Sequence, residues 1–418
     1  MNDNQIVVSK FGIKLIYVQK ILIIATLFYV NFAQYKIYQN SLILALLGGC
    51  SIALYLFSVL SLGKLFFNKY ICLYLLFMVY MLFPTVIRGA VPVYISSLSY
   101  TFLMLCIIHI CYIDNNIDWL TKTKFIMTIF TCIVFLMQPA VYHDKINTIQ
   151  YSLVSTLNPN TFGLDIVFGL WCSLELFSKN KIKRYTLIGS IFLFTVTVIK
   201  TASRKSLICT LLALCFWAWF YYIRDTKLHK IKITKIFKGI VLLLVIIIAG
   251  YFFFANFFAG STMERRIYNM FSGDDRSIAT RYDMYIFGFS ELFRYPIFGY
   301  GFDGFRSLYG SYSHATIVEV PVSGGCLGGI LYFSIFVGSL MRTIKRTRSF
   351  KWIDVGQDIM IEHYMAIILW IMMFFLCICV IHPYLFNSHV MLAILFAVSM
   401  KYEKGNLKAE NKAERYFI

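Results

Sequence analysis

The sequence predicts an all-α polytopic membrane protein, one integral membrane domain over residues 1–418 interrupted by a single long charged insert. Three observations predict it. Only 14% of the 418 residues are charged, against about 25% in a soluble domain. Hydrophobic residues make up 59% of the chain, with a mean hydropathy of +0.72. They run in stretches long enough to cross a hydrocarbon core about 30 Å thick, which takes roughly 20 helical residues.

Helix is the element expected in each stretch, because backbone polar groups surrounded by lipid must be satisfied within the segment. The length criterion gives about twelve transmembrane helices. They lie near 15–34, 41–62, 70–87, 97–113, 124–142, 160–178, 185–199, 206–223, 238–259, 318–341, 363–382 and 388–401. The first stretch is long and lacks a small-residue cleavage site, so it reads as a span and not as a cleavable signal.

Charge distribution sets the orientation. With the N-terminus inside, the inner loops carry Lys10, Lys14, Lys64, Lys69, Lys122, Lys124, the run Lys179–Arg184 and the basic residues from Arg224 to Lys238. The residues from Arg342 to Lys351 and the basic tail fall on the same side. Such a bias is the positive-inside rule, so the net charge of +19 needs no nucleic acid. Both termini are expected in the cytoplasm. The insert 260–317, between spans nine and ten, is expected outside it, with the segments bearing Arg88, Asn158, Arg204 and His382. The eleven cysteines include no CxxC pair and read as small buried hydrophobes. No internal repeat is visible, which disfavours transporter folds built from repeated halves.

The insert holds most of the external charge. From Ile278 to Phe293 apolar residues gather on one helical face, with Asp283, Ser290, Glu291 and Arg294 away from it. This predicts an amphipathic helix on the membrane surface or capping the bundle. Arg281 sits at the margin of the stripe. It could offer a bidentate fork to a phosphate, or simply snorkel to the interface. The helix is expected to stop before Pro296. A glycine and aromatic alternation follows from Phe298 to Phe305, suited to sugar stacking or to a tight connector. His314, with Glu319 five residues on, could shuttle protons or contact phosphate, or be structural.

Two other external sites carry polar groups. The run Thr201-Ala-Ser203-Arg204-Lys205-Ser206 combines hydroxyls and cations that suit a diphosphate, or forms a hydrated turn. Asn158-Pro159-Asn160-Thr161 opens a span and is sufficient as a helix cap. Arg88, at the outer end of span three, is a further cation of the same type. Asp274 and Asp275 lack a third ligand at metal-site spacing, so no metal site and no cofactor are expected.

In their order these residues resemble a known family. The order runs Asn158-Pro-Asn-Thr, Ser203-Arg204, Arg281-x-x-x-Tyr285, Tyr295-Pro-Ile-Phe-Gly-Tyr-Gly-Phe302, His314-x-x-x-x-Glu319 and Leu-Gly-Gly329. It is similar to the O-antigen ligase and polymerase family of bacterial envelope proteins. One departure is Ala315, where the family often has asparagine after its histidine. The resemblance implies a metal-independent membrane glycosyltransferase of GT-C type in the bacterial cytoplasmic membrane, using a glycan on undecaprenyl diphosphate. Arg204 and Arg281 would hold the donor diphosphate, and His314 would act as base or as a further diphosphate contact. Arg88, Lys205, Asn160, Tyr285 and Glu319 are the candidate substrate-binding residues. The implied partners are lipid-linked glycan donor and acceptor, the bilayer and a chain-length regulator protein. The expected reaction polymerises repeat units into O-antigen or capsular polysaccharide; a ligase moving the finished glycan is the first alternative. A lipid-linked oligosaccharide flippase is the second, but it predicts polar residues lining a path. Deep in the spans the chain offers Asp165, Glu175, His109 and few others.

Overall fold

The computed structural model describes residues 3–34, 41–62, 69–114, 116–137, 140–143, 148–151, 159–224, 260, 262–272, 276–313, 315–349, 357–375 and 387–399. The expected span 238–259, His314, Asn158, His382, the Asp274-Asp275 pair and the basic tail lie outside the described residues. The helices are α1 (Asp3–Gln34), α2 (Ser41–Leu62), α3 (Lys69–Arg88), α4 (Val91–Asp114) and α5 (Asp118–Met137). A short antiparallel hairpin, β1 (Ala140–His143) and β2 (Thr148–Tyr151), pairs Ala140 with Tyr151. There follow α6 (Pro159–Ser178), α7 (Arg184–Thr201), α8 (Arg204–Arg224), α9 (Thr262–Ser272), α10 (Arg276–Arg294), α11 (Gly304–Tyr309), α12 (Thr316–Ser349) and α13 (Gln357–Phe375). The last described helix is α14 (Asn387–Ser399).

The protein is therefore overwhelmingly helical, as the lipid argument requires of its apolar segments. Among the described residues, Lys69–Arg88, Val91–Asp114, Asp118–Met137 and Thr316–Lys345 are long and apolar enough to cross a membrane. Leu15–Val30, Leu46–Phe57 and Asn387–Ser399 are shorter apolar helices. Span five was expected to run to residue 142; α5 stops at Met137 and the hairpin begins at Ala140.

The chain divides into two compact units, Met1–Thr123 with Ser277–Ile418, and Lys124–Arg276. In the first, α3 buries Tyr74, Phe77 and Met81 while Val79, Phe83 and Val86 stay exposed, as a helix facing hydrocarbon on one side would. The Tyr74 hydroxyl meets His389 Nε2 at 2.8 Å. The Tyr70 hydroxyl donates to the Gly338 carbonyl at 2.8 Å, tying α3 to α12.

In the second unit, α6 carries the two acidic residues that stood out in the sequence. Asp165 pairs with Lys124, and Glu175 with Lys179 one turn on, all four residues being buried. An unpaired charge inside an apolar interior is far costlier than a matched one, so these residues are placed as structural pairs. Gly169 lets α6 approach α5 closely, since a Cβ there would stand 2.4 Å from the Thr128 side chain.

Candidate functional site

In the first unit the glycine-aromatic run is a loop docked into a broken helix. Gly325 has φ 64° and ψ −171°, which interrupts α12. A regular helix would bond the Cys326 N–H to the Val322 carbonyl; the break frees both groups. The loop takes them over. Tyr300 N–H donates to Val322 O at 2.9 Å, Gly301 N–H to Ser323 O at 2.7 Å, and Cys326 N–H to Pro296 O at 2.6 Å. From α3, the Tyr80 hydroxyl lies 2.8 Å from both the Ile297 and Gly324 carbonyls. Buried backbone groups must find partners, and here the loop and the broken helix supply each other's.

The far end of the loop is clasped by the C-terminal end of α3. Phe302 N–H donates to Thr85 Oγ1 at 3.0 Å, and its carbonyl accepts from Ala90 N–H at 2.9 Å. Gly301 is required at φ 81°, and a Cβ there would sit 2.6 Å from the Thr85 Cα. The Arg88 guanidinium lies 3.7 Å from the centre of the Tyr295 ring, a cation–π contact.

The amphipathic helix expected over 278–293 is α10, and it turns its faces in an informative way. Tyr282, Ile286, Phe289 and Phe293 are exposed, while Met284, Gly288 and Glu291 face the protein. The apolar stripe thus points outward, as a helix lying on a membrane surface would turn it. Glu291 lies away from the apolar stripe, as expected, and because that stripe points outward it is buried. It accepts a hydrogen bond from the Tyr300 hydroxyl and pairs with Arg294 at 2.8 Å. Burial first, then the Glu291 carboxylate, pushes the Tyr300 phenol up to about 12. Arg281 and Tyr285 lie between the two faces and are half-buried. Tyr285 packs on the cluster of Met284, Tyr300, Phe305, Ala315, Val318 and Val322.

Ser313 and Ala315, on either side of position 314, belong to a turn held from the start of α12. The Glu319 carboxylate accepts from Ser313 N–H at 2.6 Å, and Ser313 Oγ accepts from Ala315 N–H at 3.2 Å. Glu319, in the first turn of α12, thus reaches back six residues to hold the turn that precedes the helix. Glu319 is 3% exposed, so its carboxylate meets this turn inside the protein. Asp303 lies 3.6 Å from Arg306, and burial raises its carboxyl although Arg306 opposes the shift.

In the second unit the α7–α8 turn is built tightly. Ala202 takes the left-handed conformation, φ 55°. Ser203 Oγ donates to Asn160 Oδ1 at 2.9 Å and lies 2.8 Å from Ser206 Oγ. Gly163 makes room, since a Cβ there would meet Ser206 Oγ at 2.1 Å. Arg204 and Lys205 are half-buried. Arg204 Nη1 donates to the Arg266 carbonyl at 3.2 Å, and Arg266 Nη1 to the Ala202 carbonyl at 3.0 Å.

Residues 189–333 match the family model Wzy_C, O-antigen ligase. Over these residues the chain is similar to the O-antigen ligase family. No curated protein matches the chain.

The O-antigen ligase match spans both structural settings described above, the Arg204 turn and the Arg281 helix with its docked loop. It also includes Lys205, Tyr285 and Glu319, whereas Arg88 and Asn160 precede it. Arg88, Arg281, Tyr285 and Glu319 belong to one unit; Asn160, Arg204 and Lys205 belong to the other. Thr85, Tyr80, Glu291 and Arg266 also hold these settings together, and none of them is a site candidate from the sequence. No local signal marks them, since each meets a partner that the fold brings to it.

Proposed function

We propose that this protein is a membrane glycosyltransferase that polymerises undecaprenyl-diphosphate-linked repeat units into O-antigen or capsular polysaccharide. It would work at the outer face of the bacterial cytoplasmic membrane. The observation that carries the reading is the O-antigen ligase match over residues 189–333, which takes in both arginine settings. The proposed frame is a GT-C-like single membrane domain of about twelve spans, with both termini inside and residues 260–317 outside.

Arg204 and Arg281 bind the donor diphosphate. The bond from the anomeric carbon to the diphosphate oxygen breaks as the acceptor hydroxyl forms a new bond to that carbon from the opposite face. Negative charge grows on the departing undecaprenyl diphosphate, and fixed guanidinium groups in a poorly hydrated site stabilise it. His314 takes the hydroxyl proton or adds a further contact to the diphosphate; a general base contributes about 10²–10⁴ in rate. The exposed apolar stripe of α10 supports a place at the headgroup level, where a lipid-linked diphosphate lies. Arg88, Lys205, Asn160 and Tyr285 are proposed to contact the glycan or the diphosphate, and a chain-length regulator is a proposed partner.

The family description is equally compatible with a second reading, a ligase that moves finished glycan to a lipid or protein acceptor. Deletion of the gene separates the two. A polymerase mutant displays single repeat units on its surface acceptor. A ligase mutant retains long polymer on undecaprenyl diphosphate. Unchanged surface glycan would contradict both.

A further inference from the structure

Arg204 and Arg266 exchange donors across the α7–α8 turn, and the two bonds are not equivalent. The bond from Arg204 ends on a backbone carbonyl, which any residue at 266 would provide. The bond from Arg266 ends on Ala202, and that one depends on the side chain. Ala202 holds a left-handed conformation, φ 55° and ψ 25°, that residues with a Cβ adopt reluctantly. It stands two residues before Arg204, so its backbone angles set where α8 begins and where the Arg204 side chain leaves the turn.

The helix that brings Arg266 is itself well anchored. Met263 of α9 is fully buried against Ile199 and Leu207, with Ile267 packed alongside. Arg266 shares that face, three residues after Met263 and next to Ile267.

We propose that Arg266 is a positioning residue for the transfer reaction: by holding the Ala202 carbonyl it fixes the α7–α8 turn and, through it, Arg204. The inference rests on the reading of Arg204 as a phosphate-binding cation. Arg266 acts through Arg204 and makes no contact of its own with the leaving group. Its loss therefore lowers turnover more than it weakens substrate binding.

The test is a double-mutant cycle on the full-length purified protein. The substrate is the undecaprenyl-diphosphate-linked repeat unit isolated from the source cells. Arg266→Ala is expected to lower kcat roughly 100-fold, the loss expected from a displacement of about 1 Å, with KM changed less than about threefold. Arg266→Lys, which can still donate to Ala202, recovers at least about tenfold of that loss. In an Arg204→Ala background, Arg266→Ala costs less than about threefold more, because residues acting as one unit are not additive. Amide hydrogen exchange in a peptide covering 200–206 should be faster in Arg266→Ala than in the wild type, at unchanged Tm. Additive losses would show that Arg266 acts on its own and would overturn the proposal, as would unaltered exchange. Full transfer by Arg204→Ala would instead sink the diphosphate reading, while exchange would still decide whether Arg266 holds the turn.

Discussion

Tyr300 donates its phenolic hydrogen to Glu291, joining the docked loop to the end of the amphipathic helix that carries Arg281. The bond explains why a carboxylate tolerates burial on a helix whose opposite face is apolar. It also ties Arg281's helix to the broken span α12, because Tyr300 N–H occupies the Val322 carbonyl.

Tyr300→Phe should lower stability by about 1–3 kcal/mol, since the buried Glu291 loses its phenol donor. The effect has a pH signature. The Tyr300 phenol is raised to about 12 in the folded protein, against about 10 for a free tyrosine. A group with a raised folded value stabilises fully below its unfolded pKa, and that contribution fades as pH climbs through the folded one. The Tm gap between wild type and Tyr300→Phe should therefore be constant below about pH 10 and shrink above it. A gap independent of pH across that window would contradict the pairing.

Glycine substitutions should separate close approach from mere backbone preference. Gly310 has φ 82° with open space around it, so Gly310→Ala should cost only the left-handed penalty of about 1–2 kcal/mol. Gly325→Ala adds a Cβ 2.1 Å from the Ile297 carbonyl. That clash should unseat the loop and cost clearly more. Thermal unfolding of the two purified variants makes the comparison, and equal losses would mean that the loop is not docked as described.

Glu319 is a candidate substrate contact from the sequence, and in the structure its carboxylate accepts from the Ser313 N–H. Glu319→Gln keeps an oxygen that can accept from Ser313 and should retain most activity. Glu319→Ala should lose about 1–3 kcal/mol of stability, because the buried Ser313 N–H loses its carboxylate acceptor. Inactivity of Glu319→Gln at normal protein level would return Glu319 to the substrate contacts.

How much of this was legible beforehand varies with the physics involved. Helices were legible because lipid leaves no other way to satisfy an isolated backbone segment. Proline 296 marked the end of α10 for a local reason, and α10 does end at Arg294. The burial of Glu291 was not legible, because it depends on a tyrosine brought back by the loop. Nor was the break at Gly325 readable: two glycine pairs in one span allow close helix approach as well as a break. Which carbonyls the loop would occupy is a matter of tertiary register. The Arg204–Arg266 exchange crosses 62 positions of sequence, and nothing local to either arginine announces it.

Arg204→Ala and Arg281→Ala should each lower transfer about 10²–10³-fold, the usual loss of one transition-state charge contact. Protein level and membrane insertion should stay normal in both, as membrane fractionation and blotting would check. Near-wild-type transfer by both variants would remove the diphosphate clamp from the account.

The most direct measurement is reconstitution of the purified protein with its undecaprenyl-diphosphate-linked repeat unit as sole substrate, in EDTA, with products resolved on a gel. The account predicts a ladder of longer lipid-linked glycans that forms without divalent ions. Substrate left unchanged in EDTA, and still unchanged after a divalent ion is restored, would contradict the polymerase. A ladder that appears only on restoring the ion would contradict the metal-free mechanism.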